Sequence, residues 1–195
     1  MKKEKRFKKE QLMVYFIAFI MISSIFGVMF YGFSGGGTKV DYNEFIFSKE
    51  EGGNKWSIEI EGKKIFFDYF PTEVGQFNIS AELINKMLNT MEIDITYEVN
   101  STKKEIFAYI GYDMQQQLAN KDIYVRPGFT TESEYDVSVI TCADATAVVP
   151  VLYIQESNET KIYSEGNCVI LEAKSDFDFI KLKDRILYGI FGIME

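Results

Sequence analysis

PVLYIQESNETKIYSEGNCVILEAKSDFDFIKLKDRILYGIFGIM, from Pro150 to Met194, is the stretch on which the fold turns. Within and beside it, VPVLYIQ, TKIYS and CVILEA are rich in β-branched and aromatic residues and read as strands. A tight turn at Glu165-Gly166-Asn167 joins the last two. A helix follows. Ser175 with Asp178 three residues on is a capping pattern, and Asp176 adds negative charge to the first turn. The apolar positions Phe179, Ile180, Leu182, Ile186, Leu187, Ile190 and Phe191 form a wide stripe at helical spacing. The closing ILYGIFGIM is too short to span a bilayer, so it is expected to pack on the sheet.

Toward the N-terminus the same alternation of strands and helices continues. WSIEIE (Trp56 to Glu61) alternates at period two, and Gly62-Lys63 turns it into KIFFDYF, a hairpin ended by Pro71. Leu83, Ile84, Met87, Leu88 and Met91 are helically spaced, with Ser80 as N-cap and Glu82 to Lys86 as an i,i+4 pair, so a helix is expected from Ala81 to Thr90. EIDITYEV reads as a strand. TKKEIFAYIGYDMQQQLANK reads as a helix with the stripe Ile106, Phe107, Ile110, Met114 and Leu118, although its first half also suits a strand. DIYVRPGF is a short strand ended by Pro127-Gly128, and DVSVIT is a further strand. The pattern implies an α/β (or α+β) domain, a mixed sheet covered by about three helices.

One segment alone is continuously apolar: the 22 residues from Leu12 to Phe33 carry no charge. As a helix they reach about 33 Å, enough for a hydrocarbon core of about 30 Å. A cleaved signal peptide is the competing reading, with Gly32-Phe33-Ser34 as its site. Its apolar region is normally about 7–15 residues, shorter than this one. Tyr15, Phe16, Tyr31 and Phe33 stand near the ends of the run, where rings settle at headgroup level. The preceding MKKEKRFKKE carries six basic residues against two acidic ones, which keeps that end cytoplasmic. Of the chain's net charge of −8, the part after this flank therefore holds −12. The expected organisation is a cytoplasmic flank (1–11), a transmembrane anchor (12–33), a flexible spacer (34–43) containing SGGGTK, and an extracytoplasmic domain (44–195). An exported surface this acidic repels phosphates and anionic headgroups, so nucleic acid is not an expected partner.

Composition narrows the chemistry further. The chain has no histidine, which removes Ser-His-Asp and Cys-His systems and imidazole ligands. Two cysteines, Cys142 and Cys168, cannot by themselves complete a zinc site, and their spacing is not that of a redox pair. In an exported domain an even pair is usually bonded; two buried free thiols are the alternative. Carboxylate chemistry remains, with Asp176 and Asp178, or Asp144 beside Cys142, as available pairs, but helix capping already accounts for the first. SGGGT lacks the lysine of a phosphate loop. No catalytic, cofactor-binding or metal residue is therefore assigned. Three sequons, at Asn78, Asn100 and Asn158, fall at expected turns or helix starts, as surface glycan acceptors must. Ser80 serves both as sequon hydroxyl and as N-cap. Within the apolar run, Ser23 and Gly27 form a small-xxx-small pair.

FFDYFPTEV, YVRPGF, ITCADAT, GNC and the closing DRILYGIFGI together resemble an uncharacterised family of single-pass, cell-surface proteins from archaea. The likeness covers most of the exported chain. It implies the single-pass topology and the pairing of Cys142 with Cys168, and it brings no activity. The expected function is a non-catalytic binding or assembly module of the cell envelope, anchored in the lipid bilayer through residues 12–33 and associating with an envelope or membrane protein. A pilin-like filament subunit is the runner-up; RFKKEQL, where pilin processing needs a small residue, weighs against it. A carboxylate-based surface hydrolase is the third.

Overall fold

The computed structural model describes residues 13–23, 37–50 and 52–194. Residues 13–23 form helix α1, with every residue exposed. The rest of the expected anchor, the flank 1–11 and the start of the spacer lie outside the described residues. Among the described residues no helix is long and apolar enough to cross a membrane.

The domain has two sheets, not one mixed sheet. Strands β1 (Thr38–Tyr42), β2 (Phe45–Lys49), β3 (Trp56–Ile60) and β4 (Lys63–Phe67) form an antiparallel meander. β1 occupies residues expected to be flexible spacer. Its turn, Asn43-Glu44, lacks the usual Asn-Gly signal; Asn43 takes φ +50°, and its side-chain amide donates to Ile193 O at the far end of the chain. A long-range contact thus fixes a hairpin that local sequence does not announce.

After a one-turn helix α2 (Pro71–Val74) come α3 (Ala81–Leu88), β5 (Glu92–Tyr97), α4 (Lys104–Leu118), β6 (Tyr124–Phe129), β7 (Ser138–Val139), β8 (Val151–Glu156), β9 (Lys161–Glu165), β10 (Cys168–Ala173) and α5 (Asp176–Ile190). The second sheet has the order β7-β6-β5-β8-β10-β9, parallel except for β9. β6 runs through Pro127 instead of ending there. The amides of Tyr124 and Thr130 bond to Met91 O and Tyr97 O on the β5 side, so odd positions of β6 face outward. Pro127 therefore lacks its N–H on the side where β7, pairing only at Gly128 and Phe129, makes no ladder. It also blunts that edge against added strands.

Ser175 Oγ and Ser80 Oγ accept from the amides of Asp178 and Leu83, so both expected N-caps form. α5 lies between the sheets. It follows β10, and its other side stacks Tyr188 on Phe67 at 4.2 Å and sets it against Phe47. Phe191 and Ile193 of the closing segment are buried in the same core.

The opposite face of the parallel sheet carries a second, small core of Ile140, Val151, Cys168 and Ile170. It is roofed by residues 130–150, here called the strap. Only Ser138–Val139 of DVSVIT joins the ladder, because the chain then turns inward to bury Ile140. Gly128 lies beneath it: a Cβ there would stand 2.6–2.8 Å from Ile140 Cδ1, Cβ and Cγ1. Gly128→Ala is expected to cost about 1–3 kcal/mol by overpacking, read in a denaturant titration. A change under about 0.5 kcal/mol would show that the strap yields freely.

Candidate functional site

The topology singles out one edge. From β5 the chain moves through α4 to β6 and β7 on one side, then returns as β8 on the other. Connections diverge between β5 and β8, and crevices in open parallel sheets lie beyond the strand carboxyl ends at such a point. Here that place is filled by hydroxyls and carboxylates that bind one another. Ser101 Oγ donates to Glu156 Oε1 at 2.5 Å, and Thr102 Oγ1 to both Glu156 oxygens at 3.0 and 3.2 Å. Thr130 Oγ1 donates to Glu98 at 3.1 Å, and Lys103 Nζ reaches Asp176 at 2.5 Å. The Ser101 hydroxyl, chiefly, holds the Glu156 carboxyl below the usual range. A carboxylate whose proton affinity is lowered is a weaker general base for Ser101, so the pair fits positioning better than nucleophilic chemistry.

Beside this network a cavity of about 320 Å³ opens between β5, β6, α4 and the strap, at the small end of the range for ligand pockets. Its lining is Tyr97, Val99, Lys104, Glu105, Ala108, Phe129, Tyr135 and Val137. The rings meet at steep angles: Tyr97 to Phe129 at 5.2 Å and 82°, Phe129 to Tyr135 at 6.1 Å and 55°. A narrower cavity of about 200 Å³, sharing Tyr97 and Ala108, continues along α4 past Gly111 and Tyr112.

The strongest concentration of buried charge lies elsewhere, between the antiparallel sheet, α4 and α5. Lys183 is fully buried, with Nζ at 2.6 Å from Asp68 Oδ2, 2.5 Å from Asp113 Oδ2 and 2.9 Å from Asp184 Oδ1. Lys55 Nζ lies 2.7 Å from Asp113 Oδ1, and Tyr109 OH donates to both Asp68 oxygens. Asp184 Oδ2 accepts the amides of Asp68 and Tyr69. Burial works against the Lys183 charge, but Asp184, Asp113 and Asp68 hold it protonated above lysine's usual range. Burial likewise pushes the Asp184 carboxyl up to about 7, with Lys183 pulling the other way. A lysine locked in its charged form and closed to solvent is neither nucleophile nor base. The cluster clamps three elements together.

The residues expected from sequence fall as follows. Cys142 and Cys168 are bonded, with Cα atoms 5.2 Å apart. Asn78, Asn100 and Asn158 are all exposed, before α3, in the β5–α4 loop and in the β8–β9 loop. Asp178 accepts from the Ser175 hydroxyl, Asp176 pairs with Lys103, and Asp144 caps Thr141, so each suggested carboxylate pair has a structural role. No local pattern marks the cavity, because its residues come from four elements, β5, α4, β6 and the strap, spread between Tyr97 and Val137. No family model, curated protein or solved structure matches the chain.

Proposed function

We propose that the protein is a non-catalytic binding or assembly module of the cell envelope, held outside the cytoplasm by an anchor over residues 12–33. The observation that carries this reading is α1, whose described residues are all exposed and include Met13, Phe16, Phe19 and Ile20. A helix apolar all round suits lipid, not water. The Cys142–Cys168 bond supports an oxidising compartment, and the basic flank before an acidic domain supports the orientation. The resemblance to archaeal surface proteins agrees with both. With the carboxylates of the sheet edge engaged by hydroxyls, that edge is suited to recognition, and the partner is an envelope or membrane protein.

Protease added outside intact cells is expected to remove the domain after Phe33 and leave the flank 1–11 protected, as read by immunoblotting of tags at the two ends. A domain that survives until the cells are lysed would overturn the orientation and with it this function.

A further inference from the structure

The cavity beside the sheet edge combines three features with one ligand chemistry. Its walls include three aromatic rings: Tyr97 and Phe129 meet at 82°, and Phe129 and Tyr135 at 55°. All three rings line this one cavity, and the π face of an aromatic ring attracts a cation lying within about 6 Å. Val99, Ala108 and Val137 complete the lining with apolar surface. The surroundings are acidic: Glu105 is part of the lining, and the exposed Glu132, Glu134 and Asp136 flank Tyr135 in the strap. Against these four carboxylates stands Lys104 on the lining, while Lys103 is engaged with Asp176.

We propose that this cavity binds the arginine or lysine side chain of a partner polypeptide. The apolar walls take the methylene stem, and the rings and carboxylates take the charged head. Arginine fits better, because a planar guanidinium stacks on a ring while donating to carboxylates. Charge complementarity argues for a polypeptide occupant: the domain holds most of the chain's negative charge, and a basic segment gains from the whole rim, not from the cavity alone. The volume, about 320 Å³, suits one long side chain. This site deepens the reading of the protein as a binding module and rests on it.

The test uses the full chain in detergent micelles and calorimetric titration with a capped Ala-Arg-Ala peptide, its uncharged citrulline twin, and choline. The arginine peptide is expected to bind about tenfold more tightly than the citrulline twin and than choline. Tyr135→Ala, at a ring 55% exposed and outside the buried core, should weaken it about fivefold. Glu105→Gln should weaken it less, and raising the salt should weaken it in the parent protein. Equal binding of the two peptides, no saturable binding of the arginine peptide, or an unchanged affinity in a Tyr135→Ala protein that melts like the parent would each overturn the proposal. Choline binding as tightly as the peptide would replace the polypeptide with a small free cation and overturn it too. Micelles carry no sidedness, so a wrong compartment fails the protease test above and leaves this titration untouched.

Discussion

Replacing Lys183 with methionine is expected to lower the free energy of unfolding by about 3–5 kcal/mol, the cost of leaving buried carboxylates without their counter-charge. Methionine keeps the length of the stem, so the loss reports charge more than a cavity. In the parent, one ammonium serves Asp68 at the end of β4, Asp113 on α4 and Asp184 on α5. Without it, Lys55 remains, partly exposed and bound to Asp113, with Asp68 at 3.8 Å. Asp113 and Asp68 would then share one partial partner, and Asp184 would lose the lysine it pairs with. For a chain of this size the melting temperature should fall by roughly 2–4 °C per kcal/mol. Adding Asp113→Asn should recover at least about 1 kcal/mol, because it withdraws one orphaned charge and coupled neighbours are not additive. A loss below about 1 kcal/mol in the single variant, or no recovery in the double, would mean that the cluster is hydrated and does not clamp the layers.

That cluster also marks where the sequence was opaque. The stripe of α5 was legible from Phe179 to Phe191, and Ser175 and Asp178 gave its start, because both depend on neighbours three or four residues away. Lys183-Asp184-Arg185 in its middle carry charges, and no local pattern marks them as core. All three are buried, since the meander lies on the side of α5 away from β10. Whether a second layer covers a helix is a tertiary fact, and one charged triplet inside an apolar stripe was its only trace. The β1–β2 hairpin was hidden for the same reason: Asn43 is held by Ile193, 150 residues away. Strands β3, β4, β5, β8, β9 and β10 were readable because composition and period mark them locally. Pro127 misled because a proline stops a strand only where its missing N–H is needed, and that depends on which strand lies outside. The candidate site was legible only in its disulfide. Its rings are brought together by the crossover from β5 to β6 and by the strap, which no spacing encodes.

Breaking the Cys142–Cys168 bond is expected to cost about 3.5 kcal/mol on the chain-entropy model for a loop of this size, a large part of the typical 5–15 kcal/mol. The bond closes a loop with a sequence separation of 26 and joins the strap to the first residue of β10. Cys168 is fully buried, and Ile140, two residues before Cys142, covers Gly128 and accepts from Thr96 Oγ1 through its carbonyl. Reduction therefore frees more than a surface loop: it loosens the roof of the second core. A Cys142→Ser, Cys168→Ser variant should melt roughly 7–14 °C below the parent. Denatured protein isolated without reductant should show no reactive thiols, and two after reduction; two before reduction would refute the bond and weaken the case for an oxidising compartment. The consequence reaches the cavity, because Tyr135 and Val137 belong to the strap. With the strap's downstream end released, they lose the fixed position that sets them against Tyr97 and Phe129, so the double serine variant should bind the arginine peptide several-fold more weakly at a temperature where it remains folded. Unchanged affinity there would show that β7 and Phe129 alone hold that wall in place.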